Sequence, residues 1–181
     1  MRDTTPNEII IIIKQLKTSQ NIKDSISSNE LKKNITVLAP LLSKLINDCF
    51  NNEYFPNTLK KSRIVPIYKE SNPLDPSNYR PINILPSLSK IIEITLYNRI
   101  ENFITKHKII NECQYGFQKK SGTLSATIGV IEYIQTKLDK TKNNKIGCTF
   151  IDLKKAFDTI PHNILYNKLN KYGLGDEHLT Y

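Results

Sequence analysis

An aspartate stands near the end of an almost wholly apolar run, Ile146-Gly147-Cys148-Thr149-Phe150-Ile151-Asp152-Leu153. An ionised carboxylate in such surroundings loses solvation unless it is paired or binds a cation. Alternation along a strand puts Asp152 on the same face as Ile146, Cys148 and Phe150, which predicts partial burial. A hard carboxylate oxygen at a strand end suits Mg²⁺, which retains waters and substrate phosphates as its other ligands. Two plainer uses compete: Asp152 can cap the helix that follows, or pair with Lys154 or Lys155. The residue taken alone leaves all three open.

The charge balance narrows the partners. Lys and Arg number 26 against 17 Asp and Glu, a net charge of +9. With a pI of about 9.4, that favours a polyanion such as nucleic acid. A lysine-rich protein with no such partner has the same composition, so charge names no ligand. A 181-residue chain with 39% apolar residues is one domain by length and builds a real core. Cys49, Cys113 and Cys148 are odd in number, far apart and without a CxxC pair. They exclude a zinc ribbon and argue against a disulfide scaffold, which predicts a reducing intracellular setting, nuclear or cytoplasmic. The Ile9–Ile13 run is too short to span a membrane and is preceded by Glu8, unlike a signal peptide. No membrane partner is expected, and the sequon Asn34-Ile35-Thr36 carries no consequence.

The elements that must position Asp152 read as follows. A short isoleucine-rich helix covers Glu8 to Lys17, followed by a polar stretch from Thr18 to Asn29. A second helix covers Glu30 to Phe50, with Ile35, Leu38, Leu41, Leu42, Leu45, Ile46 and Cys49 at helical spacing to give one buried face. Pro40 is predicted to kink it or split it. Ser62 to Lys69 has strand character, with Pro66 suiting an edge. Ser71 to Pro81 is rich in turn residues. Ser87 to Thr105 is an amphipathic helix, with Ser87 or Ser89 as its N-cap. Leu124 to Lys137 is another helix, and Asp139 to Lys145 a charged loop. Ile146 to Leu153 reads as a strand. Thr159-Ile160-Pro161 opens a last helix that Gly173 terminates. The fold class is α+β, helix-rich with a few antiparallel strands.

Beyond periodicity, five segments occur in a telling order. They are Arg63-Ile64-Val65-Pro66-Ile67-Tyr68-Lys69, Asn78-Tyr79-Arg80-Pro81-Ile82, Leu88-Ser89-Lys90-Ile91-Ile92-Glu93, Gln114-Tyr115-Gly116-Phe117 and Asp152-x-x-x-Ala156-Phe157-Asp158. In this order they resemble the reverse transcriptases of non-LTR (LINE-type) retrotransposons, from about Phe55 to Gly175. Residues 1–54 fit that family's leading helical segment only loosely. The resemblance implies a single incomplete domain of a right-hand polymerase. Residues 55–145 would be fingers-like, and 146–181 would open the palm.

The resemblance also assigns roles. Asp152 becomes the first palm carboxylate holding two Mg²⁺ ions, with the Leu153 carbonyl helping to bind one of them. Phe157 lies under the incoming sugar and excludes a 2′-hydroxyl by its bulk, selecting dNTP over NTP. Lys69 and Arg80 clamp the triphosphate, one as a point charge and the other as a forked donor. Gln114, Gly116, Phe117, Lys119 and Lys120 lie against the RNA template and DNA primer. Asp158 is expected as a cap or ion-pair residue. Gln118, Ser121-Gly122 and Ser19-Gln20-Asn21 depart from the commoner family pattern.

No adjacent Asp-Asp pair occurs in the sequence. The family's motifs B and C belong C-terminal to the matched segments, so these residues alone are expected to be an inactive fragment. The strand Ile146–Leu153 is expected to have an unpaired edge and an uncovered face. Two other readings stand beside this one. The chain can belong to an intron-encoded or retron relative, or it can be a non-catalytic basic module that binds nucleic acid.

Overall fold

A computed structural model of the chain describes residues 2–17, 26–119, 121–140, 145–153 and 156–174, and the side chains of 157 and 158 lie outside that description. Expectations that fall on Ser19-Gln20-Asn21, Lys120, Lys154, Lys155 and the side chains of Phe157 and Asp158 are therefore outside the described residues.

Helix α1, Pro6–Gln15, starts where local chemistry favours it. The Glu8 N–H donates to the Thr5 hydroxyl at 3.3 Å, and Pro6 occupies a position that needs no N–H donor. Ile9, Ile12 and Ile13 form its buried stripe. Helix α2, Ser28–Lys33, opens on a capping box. The Ser27 hydroxyl and N–H both donate to the Glu30 carboxylate, at 2.6 and 2.7 Å, and the Glu30 N–H returns to Ser27 at 3.2 Å. Those bonds hold the Glu30 carboxyl below its ordinary pKa, the hydroxyl contributing most.

Helix α3 spans Ile35–Asn51, so the predicted Glu30–Phe50 helix is two helices, α2 and α3. The break is at Asn34 rather than at Pro40, which the helix accommodates. Pro40 lies on the exposed face, where the backbone carbonyl it leaves unpaired can bind water. Strands β1, Arg63–Tyr68, and β2, Tyr79–Ile84, are antiparallel, with Ile67 opposite Arg80 and Tyr68 opposite Tyr79. Here β2 replaces the end of the expected turn-rich segment. Its Pro81 sits opposite Pro66, so neither proline disturbs a ladder position facing an ordinary residue.

Helix α4, Ser87–Lys106, matches its expected span. Ser89 does not cap it. Ser89 is fully buried and its hydroxyl donates to the Leu59 carbonyl at 2.7 Å, a tertiary bond. Helix α5 covers Thr123–Asp139, α6 Ala156–Thr159 and α7 His162–Lys171. The last predicted helix is thus α7, preceded by Pro161, whose carbonyl accepts from Ile164 and Leu165. Gly173 terminates it as predicted, with φ 83° in the left-handed region.

The residues divide into two compact units. The first runs to Asn102 and takes in the chain from Asn170; the second is Phe103–Leu169. The first unit holds the core. Ile9, Ile12 and Ile13 of α1 pack with Leu31 of α2, Leu42 and Ile46 of α3, and Ile91 and Ile92 of α4. Asn47 clips the N-terminal strap through both its amide atoms, accepting from the Thr4 N–H at 2.7 Å and donating to the Thr4 carbonyl at 3.0 Å. Ile46 is 1% exposed, so Ile46→Ala is expected to cost about 2–5 kcal/mol in urea unfolding. In the second unit no described residue is buried.

The expected strand Ile146–Leu153 is not one. Residues 145–153 form neither strand nor helix, and among the described residues the sole sheet is the β1–β2 pair. A strand exists through hydrogen bonds to a neighbour, and neither β1 nor β2 pairs with this segment. Phe150 is 92% exposed, and Ile151 and Leu153 are also exposed. The predicted partial burial of Asp152 is likewise corrected, since it is exposed. Among the described residues no helix is long and apolar enough to cross a membrane.

Candidate functional site

The hairpin does for Lys69 and Arg80 what sequence alone did not establish. Residues directly opposite each other in an antiparallel pair share a face, and faces alternate along each strand. Ile67 opposes Arg80, so Arg80, Ile67 and Lys69 point to the same side. Lys69 extends the ladder by one position, its N–H donating to the Asn78 carbonyl at 2.8 Å. Lys69 and Arg80 are then diagonal neighbours, about 7–8 Å apart in an ideal ladder. Arg63, opposite Ile84, shares that side at the far end of β1. Its alternation with Val65, Ile67 and Lys69 was the signal that could have found it.

The connection between the strands is braced by its own polar side chains. Asn72 accepts from Leu74 N–H at 3.0 Å, and Asp75 from Ser77 N–H at 2.9 Å. The bonds from Ser77 hold the Asp75 carboxyl below its usual range. Tyr79 donates its hydroxyl to the Pro73 carbonyl at 2.9 Å, and its ring lies 5.6 Å from that of Tyr68. Tyr68 in turn donates to the Ser71 carbonyl. This side of the hairpin, opposite Arg80, is therefore pinned, which holds the strand carrying Arg80 in register. The Lys69 ammonium pairs with Glu70 at 3.2 Å in an exposed setting, a contact weak enough to exchange for a stronger anion.

Gln114, Gly116, Phe117 and Lys119 lie together in one loop of the second unit, with Lys120 outside the described residues. Asn111 shapes its start, accepting from Cys113 N–H at 2.8 Å through its side chain and from Gln114 N–H at 3.0 Å through its carbonyl. Phe117 has φ 60°, a conformation that costs an aromatic residue energy, and its ring is 93% exposed. Tyr115, within the same motif, meets a helix. A Cβ on Gly129 of α5 would lie 2.6 Å from its hydroxyl oxygen.

Asp152 and Leu153 lie in the irregular segment before α6, and Phe157 lies within α6. Two Mg²⁺ ions need several converging hard oxygens. Among the described residues no group of three or more His, Cys, Asp or Glu could hold a metal ion. Asp152 with the Leu153 carbonyl therefore does not by itself fit a two-ion centre. Each candidate cluster is defined within its own unit: Lys69 and Arg80 in the first, the Gln114–Lys119 loop and Asp152 in the second.

Comparison with known proteins gives a consistent result. A family model described as "Reverse transcriptase (RNA-dependent DNA polymerase)" matches residues 60–180. The chain is 32% identical over 166 residues to a "Probable RNA-directed DNA polymerase from transposon BS" of Drosophila melanogaster, covering 91% of this chain. It is 30% identical over 165 residues, 90% of this chain, to the "RNA-directed DNA polymerase from mobile element jockey" of Drosophila funebris. A type-1 retrotransposable element R2 Pol polyprotein of Popillia japonica is 27% identical over 67% of this chain. The chain spans 18% of the length of each of the first two relatives and 16% of the third.

Proposed function

Because this chain belongs to the reverse transcriptase (RNA-dependent DNA polymerase) family, with LINE-type non-LTR retrotransposon relatives, we propose that it supplies the fingers and first palm segment of a right-hand RNA-directed DNA polymerase. Residues 55–145 take the fingers role and 146–181 open the palm. The observation that carries the reading is the family match over residues 60–180, within which Lys69 and Arg80 share one face of a braced hairpin.

Each group then has a physical task. Lys69 gives up its exposed partner Glu70 for the triphosphate, gaining a multiply charged anion in place of one carboxylate. Arg80 offers a planar fork to two phosphate oxygens from a strand whose position the tyrosine pair fixes. Phe157 fills the space a 2′-hydroxyl would need. Asp152 supplies one hard oxygen ligand for a divalent ion, with the Leu153 carbonyl beside it. Gln114, Gly116, Phe117, Lys119 and Lys120 meet the template and primer, with the net charge of +9 adding long-range attraction. Free Cys49, Cys113 and Cys148 fit work in a reducing, intracellular compartment.

In a polymerase containing these residues, Lys69→Ala or Arg80→Ala should lower kcat/KM for dNTP by about 10- to 100-fold, the scale of one charge-assisted hydrogen bond. Arg80→Lys should recover only part of that loss. Steady-state primer extension on an RNA template measures both. Unchanged dNTP kinetics in both alanine variants would remove the hairpin from the nucleotide site. A non-catalytic binding module would show salt-sensitive RNA binding, with no nucleotide addition when the remaining palm carboxylates are supplied.

A further inference from the structure

We infer that Gly129 and Tyr115 are positioning residues: the bare backbone of α5 at Gly129 forms a notch that seats the Tyr115 hydroxyl and holds the 112–119 loop for nucleic acid. The functional half of this rests on the reading of that loop as a template–primer contact; the seating itself rests on geometry alone.

Gly129 lies well inside α5, six residues after Thr123 begins it and ten before Asp139 ends it. Glycine there costs helix stability, because it has the greatest backbone freedom to lose. A glycine in that position asks for a packing reason. The reason is a close approach. An added Cβ would lie 2.6 Å from the Tyr115 hydroxyl oxygen and 3.5 Å from Cζ. Other glycines of the same unit show no such need, since a Cβ at Gly116, Gly122 or Gly147 would meet nothing within 4 Å.

Turning the ring does not relieve the clash. The tyrosine hydroxyl lies on the axis of the ring's χ2 rotation, so turning the ring leaves the oxygen where it is. Relief requires a change in χ1 or a shift of the Tyr115 backbone. Tyr115 sits between Gln114 and Gly116, two positions before the strained Phe117, so a backbone shift moves the residues assigned to the template and primer. Through the Tyr115 backbone, the contact on α5 bears on the aim of that loop.

The sign of one substitution separates this arrangement from ordinary helix chemistry. By helix propensity alone, Gly129→Ala should stabilise α5. With the notch occupied, it should instead overpack the contact and raise amide exchange of residues 113–119 by about tenfold. Affinity of the 181-residue chain for a short RNA–DNA primer–template should fall by roughly the same factor, by filter binding at fixed salt. Tyr115→Phe removes the clashing oxygen, so the Gly129→Ala/Tyr115→Phe double variant should regain both loop protection and affinity. If Gly129→Ala does not fold, the double variant and Tyr115→Phe alone still carry the comparison. Unchanged exchange and affinity in Gly129→Ala, or failure of Tyr115→Phe to rescue it, would overturn the seating. If the exchange pattern and rescue hold while the wild-type chain does not bind the duplex, the seating stands and the nucleic-acid reading of the loop falls.

Discussion

Arg99→Ala is expected to destabilise the chain by about 3–5 kcal/mol, the scale for stripping one partner from a largely buried ion pair. The Arg99 side chain is 11% exposed and its guanidinium is engaged at all three nitrogens. Nη1 and Nη2 donate to the two oxygens of Glu8 at 2.9 and 3.1 Å. Nη1 also donates to the Thr95 carbonyl, Nη2 to the Thr4 hydroxyl and Nε to the Arg2 carbonyl, at 3.0, 3.0 and 3.1 Å. The group lies 5.9 Å from the centre of the Phe50 ring. One side chain on α4 thus holds α1 and the strap before it, the same elements whose isoleucines make the core. Truncation leaves the Glu8 carboxylate with no charge partner among the described residues and several polar groups short of a bond. Arg99→Lys keeps the charge and loses the fork, so it should recover only a minority of the loss. Replacing both partners, as in Glu8→Leu/Arg99→Met, should cost less than Arg99→Ala alone, because no unpaired charge remains. Urea unfolding of the four proteins checks the order.

Asp152→Asn should behave in the opposite way. Asp152 is exposed and belongs to no helix or strand, so its replacement should leave unfolding within about 0.5 kcal/mol of the wild type, as for most surface substitutions. In a polymerase that contains these residues, nucleotide addition should fall by roughly a hundred- to a thousandfold, the scale for removing one group that stabilises developing charge. Binding of primer–template should change little, because the substitution removes no cation. Single-turnover extension set beside filter binding measures the split. Loss of stability with retained extension would make Asp152 a structural residue.

Much of the first unit was legible because its signals are local. The isoleucine-rich run of α1, whose helix was expected two residues late, and Gly173 beyond α7 each act within a turn or two of the chain. The start of α2 was equally local: Ser27 and Glu30 have capping-box spacing, although periodicity put the start two residues later. The ends of α3 and α4 gave no such signal, since Glu53 and Lys108 take left-handed conformations where glycine is usual. Strand β2 was hidden because Pro81 and the preceding Asn, Ser and Asp residues read as turn; only pairing with β1 makes it a strand.

The segment 146–153 shows the same limit from the other side. Apolar, β-branched residues favour a strand, but propensity supplies no hydrogen-bond partner. Among the described residues none pairs with it. The candidate site divides along this line. The candidate residues come from five ordered motifs, while the shared face of Lys69 and Arg80 and the approach of Tyr115 to Gly129 required geometry. The Gly129 notch in particular has no sequence signature beyond a glycine where a helix prefers alanine.

The most direct test is primer extension on an RNA template by a polypeptide joining these 181 residues to a palm segment, from an aligned relative, that supplies the Asp-Asp pair absent here. The joined polypeptide should incorporate dNTP as the template directs, Asp152→Asn should remove that activity and Arg80→Ala weaken it, while the 181 residues alone should bind primer–template and extend nothing. Extension by the joined polypeptide that is indifferent to Asp152→Asn, or extension by the 181 residues alone, would contradict the proposed function.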